Sequence, residues 1–261
     1  AAAGAIPRAF FLTIGLPARD DAWLAGFTKG MTELSRQAGC PLLGGDTTRT
    51  AKVGDIHAPV TISITAMGEL PQSMGLTRSG ARPGDDIWVS GCVGGAWAAL
   101  MHRWGKLTLD ARVFPAAALA MDRPNPRNAL GTALLSSATA CADISDGLAQ
   151  DLGHILERSG VDADVLWDAV PKHPALAALS QEQQVEAAMS GGDDYELVFT
   201  APADKRGLIE QASISALTPV TRIGRIVEKK PSGAPLAIRD ASGRPLFLPV
   251  QGFDHFAQSA D

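Results

Sequence analysis

The chain has 261 residues, 46% of them apolar and 20% charged, with a net charge of −5. That length supports one large domain or two smaller ones with real cores. The mild acidity and the lack of Lys/Arg clusters leave no electrostatic footprint for nucleic acid, and no apolar run approaches a bilayer span.

The chain opens Ala1-Ala2-Ala3-Gly4, and Phe10 to Ile14 reads as a buried strand. Asp20 to Ala38 reads as a helix, capped by Asp20 or Asp21 and ended by Gly39, because Trp23, Leu24, Phe27, Met31 and Leu34 recur near the helical period. Cys40, the first of three dispersed cysteines with Cys92 and Cys141, follows. An odd, scattered set excludes a disulfide framework, suits a reducing cytoplasmic compartment and offers no zinc spacing. Pro41 to Asp46 reads as a short strand and a tight turn, Val60 to Ala66 as a β-branched strand, and Gly68 to Gly75 as a linker. The domain boundary is placed there, giving 1–70 and 71–261.

In the second part, Asp86 to Ser90 is expected as a strand, Gly91 to Gly95 as a glycine turn and Ala96 to Trp104 as a helix. Arg123-Pro124-Asn125-Pro126-Arg127 breaks helices. Cys141 to Ile144 enters a turn, and Gly147 to Arg158 is helical with Leu148, Leu152, Ile155 and Leu156 on one face. A helix around Gln181 to Met189 runs into Gly191-Gly192-Asp193-Asp194 and then a strand, Tyr195 to Thr200. The tail is expected to be strand and turn. A helix, then Gly-Gly-Asp, then a strand occurs at Gly44 and again at Gly191, hinting at two related mixed α/β units.

The most informative cluster is Asp143-Ile144-Ser145-Asp146-Gly147, at the mouth of a helix. Free backbone N–H groups and the Ser145 hydroxyl there suit a phosphate, and the flanking carboxylates are compatible with a phosphate once magnesium lies between them. The alternative is an Asp/Ser helix cap with a spare surface aspartate. Gly44-Gly45-Asp46-Thr47-Thr48 and Gly191-Gly192-Asp193-Asp194 each read as a ligand loop with a hard oxygen donor or as a plain turn. Arg78 reads as a phosphate clamp or as a solvated arginine. Gly91 to Gly95 matches neither the dinucleotide fingerprint nor the Walker A pattern, and protein-kinase motifs are absent.

Five segments occur in order: Leu43 to Thr48, Leu76 to Asp85, Ala142 to Leu148, Ser190 to Leu197, and Gly252-Phe253-Asp254-His255-Phe256. Together they resemble the thiamine-monophosphate kinase family, of the ATP-binding superfamily of aminoimidazole ribonucleotide synthetase and selenophosphate synthetase. The resemblance implies two mixed α/β domains, a homodimer with a β-barrel at its interface, and ATP-dependent, magnesium-assisted phosphorylation of thiamine monophosphate. It implies that Asp46, Asp143 and Asp146 bind magnesium, with Asp143 and Asp146 catalytic. It further implies that Gly45, Asp46, Arg78 and Ser145 lie at the nucleotide, and Asp193 and Phe253 at the thiamine moiety. The family usually has Glu where this chain has Asp193, which shortens that reach. Ala1 to Pro7 resembles the end of a longer family motif, whose earlier part is expected to carry further metal-binding aspartates. Two alternatives stand beside this reading: another ATP-dependent enzyme of the superfamily, and a catalytically incomplete protein that binds nucleotide or thiamine phosphates.

Overall fold

Helix α1, Asp21–Ala38, starts and stops on local chemistry. The Asp20 carboxylate accepts the Trp23 N–H at 2.9 Å, and Gly39 ends the helix in the left-handed region at φ 61°. The computed structural model describes residues 1–54, 56–71 and 75–246. The chain divides into two compact units, Ala5–Ser73 and Ala1–Gly4 with Met74–Asp261.

In the first unit, β1, Ile6–Leu16, is the middle strand of three. It pairs in parallel with β2, Leu42–Arg49, and antiparallel with β5, Thr61–Glu69. Two short strands between them, β3, Lys52–Val53, and β4, Ile56–His57, pair antiparallel. The turn expected at Gly44-Gly45-Asp46 is not formed; these residues run inside β2. A register shift in β1 at Phe10/Phe11 accompanies a close approach, in which a Cβ on Gly45 would fall 1.8 Å from the Leu12 carbonyl oxygen. Glycine is therefore required by strand packing. No residue of α1 is buried, and the sheet leaves Phe11, Leu43, Ile62, Ile64 and Met67 exposed.

The second unit is built on a six-stranded sheet in the order β11-β8-β10-β6-β9-β7. Its strands are β6, Asp86–Ser90; β7, Ala140–Asp143; β8, Asp162–Leu166; β9, Leu197–Ala201; β10, Val220–Val227; and β11, Leu236–Arg239. All neighbours are antiparallel except β11 and β8. Alternate residues point to opposite faces, and both faces are covered, which explains why every residue of β6 and β9 is buried. Ile87, Val89, Ala142 and Val198 join a core with α5, Leu148–Ser159, and α2, Gly95–Arg103. Trp88, Cys141 and Phe199 join a second core with α4, Asn128–Leu134, and α7, Arg206–Ser215. Trp88 and Phe199 stack with ring centroids 6.4 Å apart.

Three helices depart from expectation. Helix α3, Phe114–Asp122, and α4 occupy stretches to which the pattern assigned no element, and α7 interrupts a tail expected to be strand and turn. The helix expected over Gln181 to Met189 is α only over α6, Gln181–Val185, where Ser180 and Gln183 form a capping box. From Glu186 to Ser190 it widens into a π turn, closed by the Gly191 N–H on the Glu186 carbonyl at 2.8 Å. That extra residue per turn delivers the chain to Gly191 with both glycines in contact with neighbouring backbone. The Gly-Gly-Asp segments therefore differ: one lies inside a strand, the other in an irregular loop.

Asp86 ties the sheet together at the start of β6. It is fully buried and receives Arg206 Nε at 2.6 Å, Arg206 Nη2 at 2.9 Å and Arg222 Nη1 at 3.3 Å. Burial works to raise its carboxyl, but the hydrogen bonds and charges of Arg206 and Arg222 outweigh it and hold the group below the usual carboxylate range. The unfolded chain then binds the proton more readily than the folded one. The stabilisation is present above the ordinary carboxylate value and is lost as pH falls through the lower folded value. Urea unfolding followed between pH 3 and pH 7 should show an acid limb that is shallower in Asp86→Asn; an unchanged slope would contradict this assignment.

Candidate active site

The loop Asp143–Gly147 leaves β7 and enters α5, and the loop Gly191–Glu196 leads into β9. The two are laced together. The Ile144 N–H donates to the Glu196 carbonyl at 2.8 Å, the Tyr195 N–H to the Ile144 carbonyl at 2.8 Å, and the Asp193 N–H to the Ser145 carbonyl at 2.9 Å. Glycines make the contact possible. A Cβ on Gly192 would lie 2.3 Å from the Ser145 carbonyl oxygen, and one on Gly147 would lie 2.9 Å from that of Met189.

Asp143 and Asp146 are not consumed as helix caps. The N-cap of α5 is Gly147, which is at φ 112° and offers no side-chain bond. Neither carboxylate, nor that of Asp193, joins an ion pair among the described residues; Asp146 accepts only Gln150 Nε2 at 3.5 Å. Both Asp143 and Asp146 act on the same two neighbours. Burial raises the Tyr195 phenol, and the charges of Asp193, Asp143 and Asp146 add to it. Burial also raises the Asp151 carboxyl, with the charges of Asp146 and Asp143 adding and two N–H donors opposing. The Tyr195 hydroxyl donates to Asp193 Oδ1 at 3.1 Å.

Two of the N–H groups expected to be free before α5 are already occupied. Ser145 N–H and Asp146 N–H both donate to Asp151 Oδ2, at 2.9 and 3.0 Å, and Asp151 is buried. The glycine turn before α2 is filled in the same way, by Asp194. Its carboxylate accepts the Gly94 N–H at 2.9 Å to each oxygen, and the Ala96 N–H as well. Burial pushes the Asp194 carboxyl up to about 8, the Gly94 and Ala96 donors pulling against burial and against the charges of Glu196 and Asp193. Of the groups read as phosphate donors here, the Ser145 hydroxyl makes no hydrogen bond among the described residues.

Sequence reasoning missed a buried polar cluster beneath the loop. Arg127 grips Glu196 with two parallel bonds, Nε to Oε2 at 2.7 Å and Nη2 to Oε1. The Ser90 hydroxyl donates to Glu196 Oε2 at 2.5 Å and accepts the Leu197 N–H at 2.8 Å. A Cβ on Gly91 would collide with the Glu196 carboxylate. Arg127 follows the proline pair recognised as a helix breaker, and Asp151 falls on the apolar face of α5. An acid on a buried stripe is the signal that was available for it.

Arg78 is exposed in the loop before Gly80. Its carbonyl accepts the Ser159 hydroxyl at the far end of α5, and no contact joins its guanidinium to Asp143, Ser145 or Asp146. Gly45 and Asp46 lie on β2 of the first unit, with Asp46 exposed. Phe253 lies outside the described residues, as does the whole Gly252 to Phe256 segment. Among the described residues, no three His, Cys, Asp or Glu side chains are arranged to hold a metal by themselves. The donor set fits magnesium nonetheless, because that ion is commonly held by one or two carboxylates together with substrate phosphates.

Removing one partner of a buried ion pair strands the other charge, typically costing about 3–5 kcal/mol, whereas exposed pairs contribute about 0–1 kcal/mol. Arg127→Ala should therefore lower the unfolding free energy by about 3–5 kcal/mol. Arg103→Ala, which breaks a half-exposed pair with Asp122, should cost far less, because solvent screens that pair. Equal losses in chemical denaturation would refute the contrast.

The profile of the AIR synthase related protein N-terminal domain matches residues 1–70, and that of its C-terminal domain matches residues 82–235. A thiamine-monophosphate kinase of Haemophilus influenzae is 37% identical over 262 residues, spanning 99% of this chain and 76% of that protein. The crystal structure of thiamine-monophosphate kinase from Stenotrophomonas maltophilia superposes with a TM-score of 0.82 at 39% identity, over 91% of this chain and 73% of that one. A structure described as AaThiL complexed with AMPPCP and TMP superposes with a TM-score of 0.78 at 26% identity, over 98% and 75% of the two chains. The two laced loops, their unspent aspartates and these likenesses converge, and the chain belongs to the thiamine-monophosphate kinase family.

Proposed function

We propose that this chain transfers the γ-phosphoryl group of ATP to thiamine monophosphate, giving thiamine diphosphate and ADP. The observation that carries the reading is that Asp143 and Asp146 sit beside Asp193 with neither helix-cap nor ion-pair duties. That a related structure holds AMPPCP and TMP together supports it.

The acceptor is itself a phosphate monoester. Its second pKa is about 6, so at neutral pH its oxygen is already nucleophilic and needs no strong base. In direct in-line transfer, an acceptor phosphate oxygen forms the new P–O bond, the bond from the γ-phosphorus to the bridging oxygen breaks, and ADP leaves with that electron pair. The obstacle is repulsion between two polyanions and a cluster of carboxylates. Asp143 and Asp146, with Asp46 as a further oxygen donor, are the residues that would hold Mg²⁺. Bound there, the ion supplies charge neutralisation and alignment. We assign Ser145, Arg78 and Gly45 to the nucleotide, and Asp193 and Phe253 to the thiamine moiety, as the family likeness implies. The sheet of the first unit leaves Phe11 and Met67 exposed on one face and Ile62 and Ile64 on the other, apolar surface that suits burial against a second copy. No described helix is long and apolar enough to cross a membrane, and we place the enzyme in the cytoplasm.

Chromatography of a reaction containing thiamine monophosphate, ATP and Mg²⁺ should show thiamine diphosphate, with all three components required. Loss of residues that merely support metal ligands costs about 10–100-fold, so Asp143→Asn should lower turnover by more than ~100-fold while leaving circular dichroism unchanged. Near-normal turnover in Asp143→Asn would sink the metal assignment.

A further inference from the structure

The segment Asp193–Glu196 alternates in direction. Residues 193 and 195 turn outward in the left-handed region, Asp193 at φ 65° and Tyr195 at φ 51°. Their side chains are exposed and joined through the tyrosine hydroxyl and Asp193 Oδ1. Residues 194 and 196 turn inward. Glu196 is locked to Arg127 and Ser90, and Asp194 reaches back a hundred residues in sequence to the N–H groups of Gly94 and Ala96. Side chains other than glycine rarely adopt left-handed geometry, and they hold it only where the surroundings over-determine it.

Two backbone bonds, from the Asp193 and Tyr195 N–H groups, fix the loop on one side. On the other, between the two left-handed residues, the tie is the Asp194 carboxylate. The turn it grips is rigid in its own right. Gly94 is at φ 86°, and a Cβ there would meet the Leu176 side chain at 2.7 Å. Gly94 is thus a fixed point, and Asp194 transmits its position to the residues on either side.

We propose that Asp194 is a positioning residue for the phosphate acceptor: by anchoring to the Gly94–Ala96 turn it holds Asp193 and Tyr195 outward as a preformed contact for a cationic aromatic ring. A carboxylate and an electron-rich phenol side by side match a positively charged heteroaromatic such as thiazolium, which is attracted to both an anion and a π face. The inference rests on the kinase reading for the identity of that ring, while the anchoring itself does not.

The test is Asp194→Ala, with Asp194→Asn as the near-isosteric variant that keeps one acceptor oxygen. In Asp194→Ala the KM for thiamine monophosphate should rise tenfold or more while that for ATP moves less than twofold, and Asp194→Asn should fall between. If Asp194 acts through its neighbour, adding Asp194→Ala to Asp193→Asn should raise KM no further than Asp193→Asn alone. Hydrogen–deuterium exchange of the peptide covering residues 191–196 should lose protection in Asp194→Ala without any substrate present. A parallel rise in both KM values, full additivity with Asp193→Asn, or unchanged exchange would overturn the proposal. If the unaltered chain makes no thiamine diphosphate, the kinase reading fails, and the exchange result alone then decides whether Asp194 positions the loop.

Discussion

Everything at the site depends on the lacing of two loops. Ile144 and Ser145 trade backbone hydrogen bonds with Asp193, Tyr195 and Glu196, and this brings residues some fifty positions apart into one acidic cluster. The lacing needs two glycine positions where backbone touches backbone, Gly147 and Gly192. It also needs internal anchors that leave the right side chains outside. Asp151 takes the N–H groups of Ser145 and Asp146, Asp194 takes those of Gly94 and Ala96, and Glu196 takes Arg127 and Ser90. Six acids therefore divide into two classes by what they touch. Asp151, Asp194 and Glu196 are spent on structure, while Asp143, Asp146 and Asp193 join no ion pair among the described residues.

This division decides how phosphate is handled. Helix N-termini are ready-made anion sites, yet Asp194 takes the N–H groups of Gly94 and Ala96 at the start of α2, and Asp151 takes those of Ser145 and Asp146 in the loop before α5. On the proposed reaction, a ligand phosphate arriving at Asp143 and Asp146 meets carboxylates that join no ion pair among the described residues, and an intervening cation would turn that repulsion into attraction. Under the proposed reaction no catalytic lysine or histidine is called for at these loops, because the acceptor would arrive ionised and the task would be to bring anions together.

Much of the fold was legible because its signals are local. Asp20 and Gly39 bound α1 as cap chemistry predicts, Asp86 to Ser90 is the strand that was read, and the apolar stripe of α5 begins within a residue of its expected start. What was misread depends on distant chain. Gly44-Gly45-Asp46 has turn composition, but its glycine answers to the Leu12 carbonyl across the sheet. Helix α3 carries a run of alanines with little polar contrast, and α7 was hidden in a tail rich in turn residues. At the site, the acidic motifs stood out in the sequence, but their roles did not. That Asp143 and Asp146 do not cap α5 follows from Gly147 taking the cap position, which no local pattern announces. The contact from Asp194 to Gly94 spans a hundred residues and has no periodicity to betray it.

The central claim is that ligand phosphates reach these loops only with a divalent cation. Isothermal titration of the protein with a non-hydrolysable ATP analogue, in excess Mg²⁺ and again in EDTA, tests it most directly. The account predicts a clear binding isotherm with Mg²⁺ and a loss of affinity of at least tenfold without it. Equal affinity in EDTA would mean that phosphate is held by protein donors alone, and would contradict the role given to Asp143 and Asp146.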